Sequence, residues 1–312
     1  MTSSKNSNSD ASNLHPLQVP ELVDTICRFL DVKTCANLLL LSRHTYIAAL
    51  PIVWKDVDTK DLLRLIPGTS TTDISTDDSK GNAIHFPATR DLTRFAIHAP
   101  FVKTLRVSDS YAVDFPSRWP VSGPDATSNP LLPNLQYLVV TIPGIAEVIG
   151  WISRLLYPGL LGLEMISAGA SDHETISTED FDDETEGYPW IDQDGCFELV
   201  SQVSRACPRL ETLRLFPKGI AQSEEEDCIK IYNQIASLQN LRSLAFSGTI
   251  VHEELLKVLG RLPHLETLSF CTEWEEQWEY DESPLAVSDD SFPSLRHLNL
   301  YGLDESAMSR VC

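Results

Sequence analysis

A short leucine motif, Leu-x-x-Leu-x-Leu, recurs along the chain and constrains its fold more than any other feature. The clear copies are FVKTLRV from Phe101, LQYLVV from Leu135, LETLRL from Leu210, LRSLAF from Leu241, LETLSF from Leu265 and LRHLNL from Leu295. A weaker copy, LLGLEM, starts at Leu160. The last four copies start 31, 24 and 30 residues apart. Recurrence at such a period indicates one structural unit stacked on the next.

Segments with helical periodicity lie between the copies: CFELVSQVSRAC, DCIKIYNQIASL and HEELLKVLGRL. One strand followed by one helix is the unit of a leucine-rich repeat solenoid. A single unit cannot bury its own apolar side, so stacked neighbours must close a continuous core. We therefore predict an α/β fold over residues 99–312, with a curved parallel sheet and helices on its convex back. An acidic insertion at 170–192, with eight carboxylates in DHETISTEDFDDETE, interrupts the repeats as a loop.

Positions between the inward leucines should face the concave side of that sheet, because side chains alternate along a strand. This places seven candidate substrate-binding residues there: Arg106, Tyr137, Arg214, Phe216, His297, Asn299 and Tyr301. Most residues on such a face are plain solvated surface, since a few side chains usually dominate binding.

A second candidate surface is CTEWEEQWEYDES, residues 271–283, in which Trp274 and Trp278 stand among six carboxylates. Exposed tryptophans among acidic side chains suit a basic, partly apolar peptide, through ion pairs and cation–π contacts. The alternative is that the aromatic rings fold back beneath a long loop as a satellite core.

The formal charge of −21 is unevenly distributed along the 312 residues. Residues 1–54 contain four basic and four acidic side chains, so the whole excess of acid lies beyond them. An acidic surface repels phosphates, which makes nucleic acid and anionic membranes poor partners and a basic protein a better one. Acidity that serves only solubility is the other interpretation.

Several absences bear on location and chemistry. No apolar run approaches the roughly 18 residues of a membrane span, and the polar start MTSSKNSNSDASN lacks the features of a secretory signal. Seven scattered cysteines without a CxxC pair favour the cytoplasm or nucleus.

No nucleophile elbow, phosphate loop or dinucleotide fingerprint occurs in the sequence. HEELL at His252 begins like a zinc-protease helix, but Leu256 stands where the second histidine ligand is needed. We expect no catalytic residue, no metal and no cofactor on this chain.

The segment 17–54 is predicted to form three helices. Pro20 suits a first helical turn, and Leu22, Val23, Ile26, Phe29 and Leu30 form an apolar stripe. Asp31 should cap a second helix to Leu41 and Ser42 a third that Pro51 stops. About 40 residues lie at the lower limit for independent folding, so part of this apolar surface should be covered by another polypeptide.

The order P-E-L-x-x-x-I-x-x-x-L-D, then leucines, then L-S-R and W resembles an F-box, here assigned to residues 14–56. The matching positions are Pro20-Glu21-Leu22, Ile26, Leu30-Asp31, Leu38 to Leu41, Leu41-Ser42-Arg43 and Trp54. The family usually opens with Leu-Pro, where this chain has Val19-Pro20. F-boxes dock a Skp-family adaptor, so the resemblance implies an adaptor interface that includes Pro20, Leu22, Ile26, Leu30 and Trp54. The alternative for each is the internal core of the three helices.

An F-box followed by leucine-rich repeats is similar to fungal F-box proteins that recruit substrates to Skp–cullin–F-box ubiquitin ligases. The resemblance implies a non-enzymatic substrate receptor that acts in protein degradation. The alternative function is an interaction scaffold without a role in ubiquitination. On this interpretation residues 1–13 are a disordered leader, and residues 57–98 are a linker whose helices lead into the repeats, with loops at 66–88 and 116–133.

Overall fold

The computed structural model describes residues 19–76, 79–85, 91–107, 111–113, 131–140, 152–153, 155–165, 193–215, 225–247, 253–271, 288 and 290–301. In residues 71–76, 79–85, 111–113, 193–194, 225–228, 247, 253–254, 271 and 300–301 the backbone alone is described. The proposed leader and the acidic insertion lie outside these ranges. The chain divides into two compact units, residues 1–56 (unit 1) and 57–312 (unit 2).

Unit 1 contains three helices, α1 (Pro20–Phe29), α2 (Val32–Leu38) and α3 (Arg43–Val53). Asp31 begins α2 as predicted, because its carboxylate accepts a hydrogen bond of 2.8 Å from the Thr34 backbone N–H. Ser42 begins α3 in a reciprocal cap with Thr45, whose N–H donates to Ser42 Oγ while Ser42 N–H donates to Thr45 Oγ1. Such caps satisfy N–H groups that the first helical turn leaves unpaired.

Two predicted helix ends in unit 1 are wrong. α2 stops at Leu38 rather than Leu41, and Leu40 and Leu41 continue as a tight turn whose N–H groups bond to Asn37 and Leu38 carbonyls at 3.2 Å. α3 continues past Pro51 to Val53. Pro51 lacks an N–H for the helical ladder, but the Trp54 N–H still bonds to the Leu50 carbonyl at 3.1 Å, so the helix continues to Val53.

The main sheet of unit 2 has eight strands in the order β1-β4-β6-β7-β8-β9-β10-β11. From β4 onward, neighbouring strands pair in parallel. Its strands are β1 (Asp56–Asp58), β4 (Thr104–Val107), β6 (Tyr137–Val140), β7 (Gly162–Met165), β8 (Thr212–Leu215), β9 (Ser243–Ser247), β10 (Thr267–Cys271) and β11 (His297–Tyr301). Each of the seven leucine-motif copies therefore contributes one strand, as predicted, and the sheet is compatible with a solenoid of strand–helix repeats.

The region expected to be a loop at 66–88 instead contains β2 (Ser70–Thr76) and β3 (Ser79–His85), which pair antiparallel. The strand β5 (Tyr111–Val113) joins β3 in a second, three-stranded sheet. The serines and threonines that suggested a loop are compatible with strands, because threonine is itself enriched in strands.

The α-helices of unit 2 whose bounds the structure describes are α4 (Thr59–Leu63), α5 (Thr93–His98), α6 (Gln193–Ala206), α7 (Glu225–Ala236) and α8 (Glu253–Leu259). α6 packs against α7 and α7 against α8. Each buries an apolar stripe, such as Leu199, Val200 and Val203 of α6. On α7 the Tyr232 ring meets Phe246 of β9 edge-on, with ring centroids 6.5 Å apart. The helices therefore cover the face of the sheet that carries the motif leucines.

Neighbouring repeats are connected through the turn that precedes each strand. The side chains of Asn134, Asn240 and Ser294 each donate a hydrogen bond of 2.7–2.8 Å to a proline carbonyl one repeat earlier, in Pro100, Pro208 and Pro263. These side chains supply the hydrogen-bond donors for proline carbonyl groups to which the backbone of the turn donates no N–H. We refer to the three bonds as the turn ladder.

Candidate functional site

α1 divides its apolar residues between two faces. Val23 and Cys27 are 1% and 0% exposed and form the core of unit 1 with Cys35 and Ala49. Leu22, Ile26 and Phe29 lie on the other face and are 47%, 38% and 86% exposed. We call these three residues the α1 apolar stripe. Their spacing of four and three residues places them along one side of the helix.

Further large apolar side chains of unit 1 are exposed: Val32, Leu40, Leu41 and Ile47. None of these four was selected from the sequence as a binding residue. Leu40 and Leu41 belong to the expected second helix, and its consecutive leucines are part of the apolar surface that we expect another polypeptide to cover in part. Their exposure follows from the early end of α2, which places both in the turn. With the α1 apolar stripe, unit 1 exposes seven large apolar residues, and exposed apolar side chains that adjoin one another often mark an interaction site.

The predicted adaptor residues are distributed between the surface and the interior of unit 1. Pro20 is exposed at the first turn of α1, together with Leu22 and Ile26 of the stripe. Leu30 is half-buried and packs against the core of unit 1. Trp54 is half-buried at the C-terminal cap of α3. Leu30 therefore contributes to internal packing, which was the alternative for each of these positions.

The sheet of unit 2 has one buried face and one front face. Motif leucines such as Leu163, Leu213 and Leu268 are no more than 1% exposed, while the residues between them alternate outward. In-register pairing aligns the outward residues in two rows across the strands. The first row is Thr104, Tyr137, Gly162, Thr212, Ser243, Thr267 and His297, and the second is Arg106, Val139, Glu164, Arg214, Ala245, Ser269 and Asn299.

Four predicted substrate residues in these rows have accessible side chains. Arg106 and His297 are exposed, and Tyr137 and Arg214 are half-buried. Asn299, also half-buried, donates a hydrogen bond of 3.1 Å to Ser269 Oγ. Val139 and Ala245 lie in the second row but are 7% and 6% exposed.

Remaining candidates fall outside the described side chains. Phe216, Trp274 and Trp278 are not among the described residues, and Tyr301 is described by its backbone in β11. The structure therefore brings Arg106, Tyr137, Arg214, His297 and Asn299 onto one face.

Tyr137 and Gly162 form a matched pair in the first row. A Cβ on Gly162 would lie 2.5 Å from Tyr137 Cδ1, so the aromatic ring occupies the space above the glycine. Glycine inside a strand often marks such a close approach. In the second row Arg214 lies 3.7 Å from Glu164, joining β8 to β7 through their charges.

A third row of side chains lies where the strands begin, at the second motif position. Its members are Lys103, Gln136, Leu161, Glu211, Arg242, Glu266 and Arg296. Arg242 contacts Glu266 at 2.5 Å and Glu211 at 3.9 Å. The backbone carbonyl of each member before Arg296 accepts two N–H groups from the next strand, as Glu211 does from Arg242 and Ser243. We call this the edge row.

The thiols of the described residues are unsuited to nucleophilic chemistry. Cys27, Cys35, Cys196 and Cys207 are buried and none of the four forms a disulfide bond. Burial raises the pKa of Cys207 to about 12 and also raises the pKa of Cys35, so both remain protonated at neutral pH. Across the described ranges, no group of three or more His, Cys, Asp or Glu side chains is placed to hold a metal ion. None of the helices found in those ranges is long and apolar enough to cross a membrane.

Comparison with known proteins adds no assignment: no protein-family model matches the chain, and no curated protein matches it.

Proposed function

We propose that this protein is the substrate-recognition subunit of a Skp–cullin–F-box ubiquitin ligase. Unit 1 docks the Skp-family adaptor, and the front face of the unit 2 sheet recruits a protein substrate. The chain performs no chemistry of its own; it raises the local concentration of a substrate lysine near a ubiquitin-charged enzyme.

The observation that carries this proposal is the exposed α1 apolar stripe. Complete burial of a leucine, isoleucine or phenylalanine side chain is worth about 1.5–3 kcal/mol. Leu22, Ile26 and Phe29 leave much of that free energy unrealised, at 47%, 38% and 86% exposure. An amphipathic helix that presents residues i, i+4 and i+7 is a common way to dock in an apolar groove of a partner.

The F-box resemblance supports the same surface independently, because Leu22 and Ile26 are motif positions of that family. Phe29, which was not among the predicted adaptor residues, extends the α1 apolar stripe by about one helical turn beyond Ile26. Leu30 and Trp54 are less suitable for testing the interface, because both are half-buried and their substitution would also disturb unit 1.

The adaptor interface is tested by titrating the full chain with a purified Skp-family adaptor. Phe29→Asp together with Ile26→Asp should weaken binding at least 100-fold, because two charges would enter an apolar contact. Ile97→Asp is the matched control: Ile97 lies on α5 and is 49% exposed, so its substitution should leave the affinity unchanged. Far-ultraviolet circular dichroism verifies that the variants remain folded.

Equal affinity of the wild type and the double variant would remove the α1 apolar stripe from the interface, and lack of adaptor binding by the wild type would remove the function. The scaffold alternative is separated by adding a cullin–RING complex. A ligase subunit enters that assembly and its substrate accumulates on deletion, whereas a scaffold does neither.

A further inference from the structure

We propose that unit 1 has a second docking surface, at the turn after α2 and the start of α3, which binds an amphipathic helix with acidic side chains beside its apolar face. We call this surface the α3 patch, and its residues are Leu40, Leu41, Arg43, His44 and Ile47. The helix that binds there belongs to a protein other than the adaptor. The inference therefore goes beyond the proposed function and does not depend on it.

The apolar part of the α3 patch consists of three large side chains that are in contact with water. Leu40, Leu41 and Ile47 are 86%, 63% and 59% exposed. The core cluster of unit 1 is formed by smaller side chains, which are Val23, Cys27, Cys35 and Ala49. Covering the three larger side chains removes apolar surface from water, and this is the main source of free energy in most protein–protein association.

Two basic side chains adjoin the apolar ones. Arg43 and His44 are the first two residues of α3, they follow Leu41 and the cap residue Ser42 in sequence, and both are exposed. Ile47 lies four residues after Arg43 and three after His44, and side chains at these two spacings are neighbours on a helix surface. The α3 patch therefore combines an apolar centre with a basic border.

The part of unit 1 that carries the α3 patch is basic, although the chain as a whole is acidic. Residues 32–55, which contain α2, the turn and α3, include Lys33, Arg43 and Lys55 and no aspartate or glutamate. The whole chain has 45 acidic residues and a formal charge of −21. Among the described residues, no ion pair includes Arg43. Its charge is therefore available to a carboxylate of a partner.

The acidic side chains of unit 1 lie on other elements. Glu21 and Asp24 belong to α1, where Asp24 pairs with Arg28 at 2.8 Å, and Asp31 is held by Thr34 at the start of α2. Asp56 follows the opposite end of α3, and at 1.5 Å per residue this helix separates it from the patch by about 15 Å. The α1 apolar stripe thus lies on a helix with an acidic excess, whereas the α3 patch has a basic border. This difference in charge favours two partners over one.

An acidic amphipathic helix fits the α3 patch for two further reasons. The aligned peptide groups of α3, which has 11 residues, give its first turn a partial positive charge that attracts carboxylates. Apolar side chains at i, i+3, i+4 and i+7 of a partner helix form a narrow stripe that fits such a compact apolar centre.

An anionic membrane is a poorer occupant of the α3 patch, although it also attracts basic and apolar side chains. Residues 55–312 carry the whole formal charge of −21, and an extended anionic surface would be repelled by that charge. A single short helix contacts the patch alone.

Fluorescence anisotropy with the full chain tests the proposal. The probe is a labelled helical peptide with leucines at i, i+3, i+4 and i+7 and glutamates beside them, compared with the same peptide carrying lysines. The glutamate peptide should bind at least tenfold more tightly, and this advantage should shrink as salt rises. Arg43→Glu with His44→Glu should reverse the preference. Acidic side chains are favourable in the first turn of a helix, so α3 should remain folded in this variant.

A second pair of variants tests the apolar centre. Leu40→Ser with Ile47→Ser should weaken the binding of the glutamate peptide at least tenfold, because the apolar contact is lost. The matched control is Val32→Ser with Lys33→Glu, which changes an exposed apolar and an exposed basic residue at the start of α2. This control should leave the affinity within twofold of the wild type.

Several results would overturn the inference: equal binding of the two peptides, equal loss in the control pair, or tighter binding of phosphatidylserine vesicles than of the glutamate peptide. Light scattering that shows a dimer, dissociated by Leu40→Ser with Ile47→Ser, would assign the α3 patch to a second copy of the chain instead.

Adaptor competition distinguishes this inference from the proposed function. Saturating adaptor should leave the glutamate peptide bound, and displacement of the peptide would mean that the adaptor itself occupies the α3 patch. If the adaptor binds and the peptide does not, this inference alone fails; if the peptide binds and the adaptor does not, the ligase proposal fails.

Discussion

The two units differ in how far their leucines are buried: the leucines of the inner repeat strands are buried, whereas the two leucines that follow α2 are exposed. In unit 2 the motif leucines Leu138, Leu163 and Leu213 are 0% exposed, because helices cover the sheet and each strand lies between two others. In unit 1 Leu40 and Leu41 are 86% and 63% exposed. The stacked repeats bury the leucines of their inner strands, whereas three short helices bury few side chains and leave the rest exposed.

The largest effect expected from this comparison is a difference between two identical substitutions. Leu213→Ala should lower the free energy of unfolding by about 2–5 kcal/mol, because it leaves a cavity in a packed interior. Leu40→Ala should change it by less than about 0.5 kcal/mol, because the side chain is already in water. Urea denaturation of the full chain, followed by circular dichroism, measures both. Similar losses in the two variants would mean that Leu40 is buried in solution.

A smaller effect is expected at the cap of α3. A unit with so small a core should depend on local signals, and Ser42→Ala removes an acceptor for the Thr45 N–H. The expected loss is about 1 kcal/mol. Hydrogen exchange measured by mass spectrometry should accelerate in Arg43–Val53 and remain unchanged in β8, β9 and β10. Unchanged exchange in α3 would indicate that its packing, rather than its cap, limits opening.

The smallest effect concerns pH. Hydrogen bonds from the Thr34 backbone and side chain lower the pKa of Asp31, so the ionised carboxylate stabilises α2 above about pH 4, the usual value for aspartate in an unfolded chain. That stabilisation is lost as pH falls through the lower folded pKa. Asp31→Asn retains the cap but cannot titrate, so hydrogen exchange of α2 should respond less to acid.

Asp91 provides the counterpart in unit 2, where hydrogen bonds from Thr93 lower its pKa. Asp91→Asn should leave the acid response of α2 unchanged. A steeper response of α2 to acid in Asp31→Asn than in the wild type would contradict the assignment.

The same contrast between the units explains what the sequence predicted well. The motif repeats with a strict alternation of inward and outward residues, so an error at one copy would conflict with the others. All seven strands and the rows containing Arg106, Tyr137, Arg214, His297 and Asn299 follow from that pattern. β2 and β3 contain no copy of the leucine motif, so the sequence offers no repeat against which to check them. Their serines and threonines alone favour a loop.

α1 could be predicted as an amphipathic helix but not divided into its two faces. The apolar residues that the sequence places on this helix cover more of its surface than one contact needs, and periodicity alone does not determine which side packs inward. They are Leu22, Val23, Ile26, Phe29 and Leu30. The core uses Val23 together with Cys27, which was absent from the predicted stripe. The exposure of Phe29 therefore emerged only from the packing of α1 against α2 and α3.

The turn ladder joins three pairs of adjacent repeats in unit 2. Each hydrogen bond of the turn ladder joins one turn to the turn of the preceding repeat. The loss of one repeat should therefore destabilise the adjoining repeats first. At β11 the ordered pairing ends within the described residues, and Leu298 is 41% exposed where its counterpart Leu268 is 1% exposed. Within the described residues β11 pairs with β10 alone, so we expect the backbone around Arg296 and His297 to exchange hydrogen faster than β8, β9 and β10 when the chain is heated.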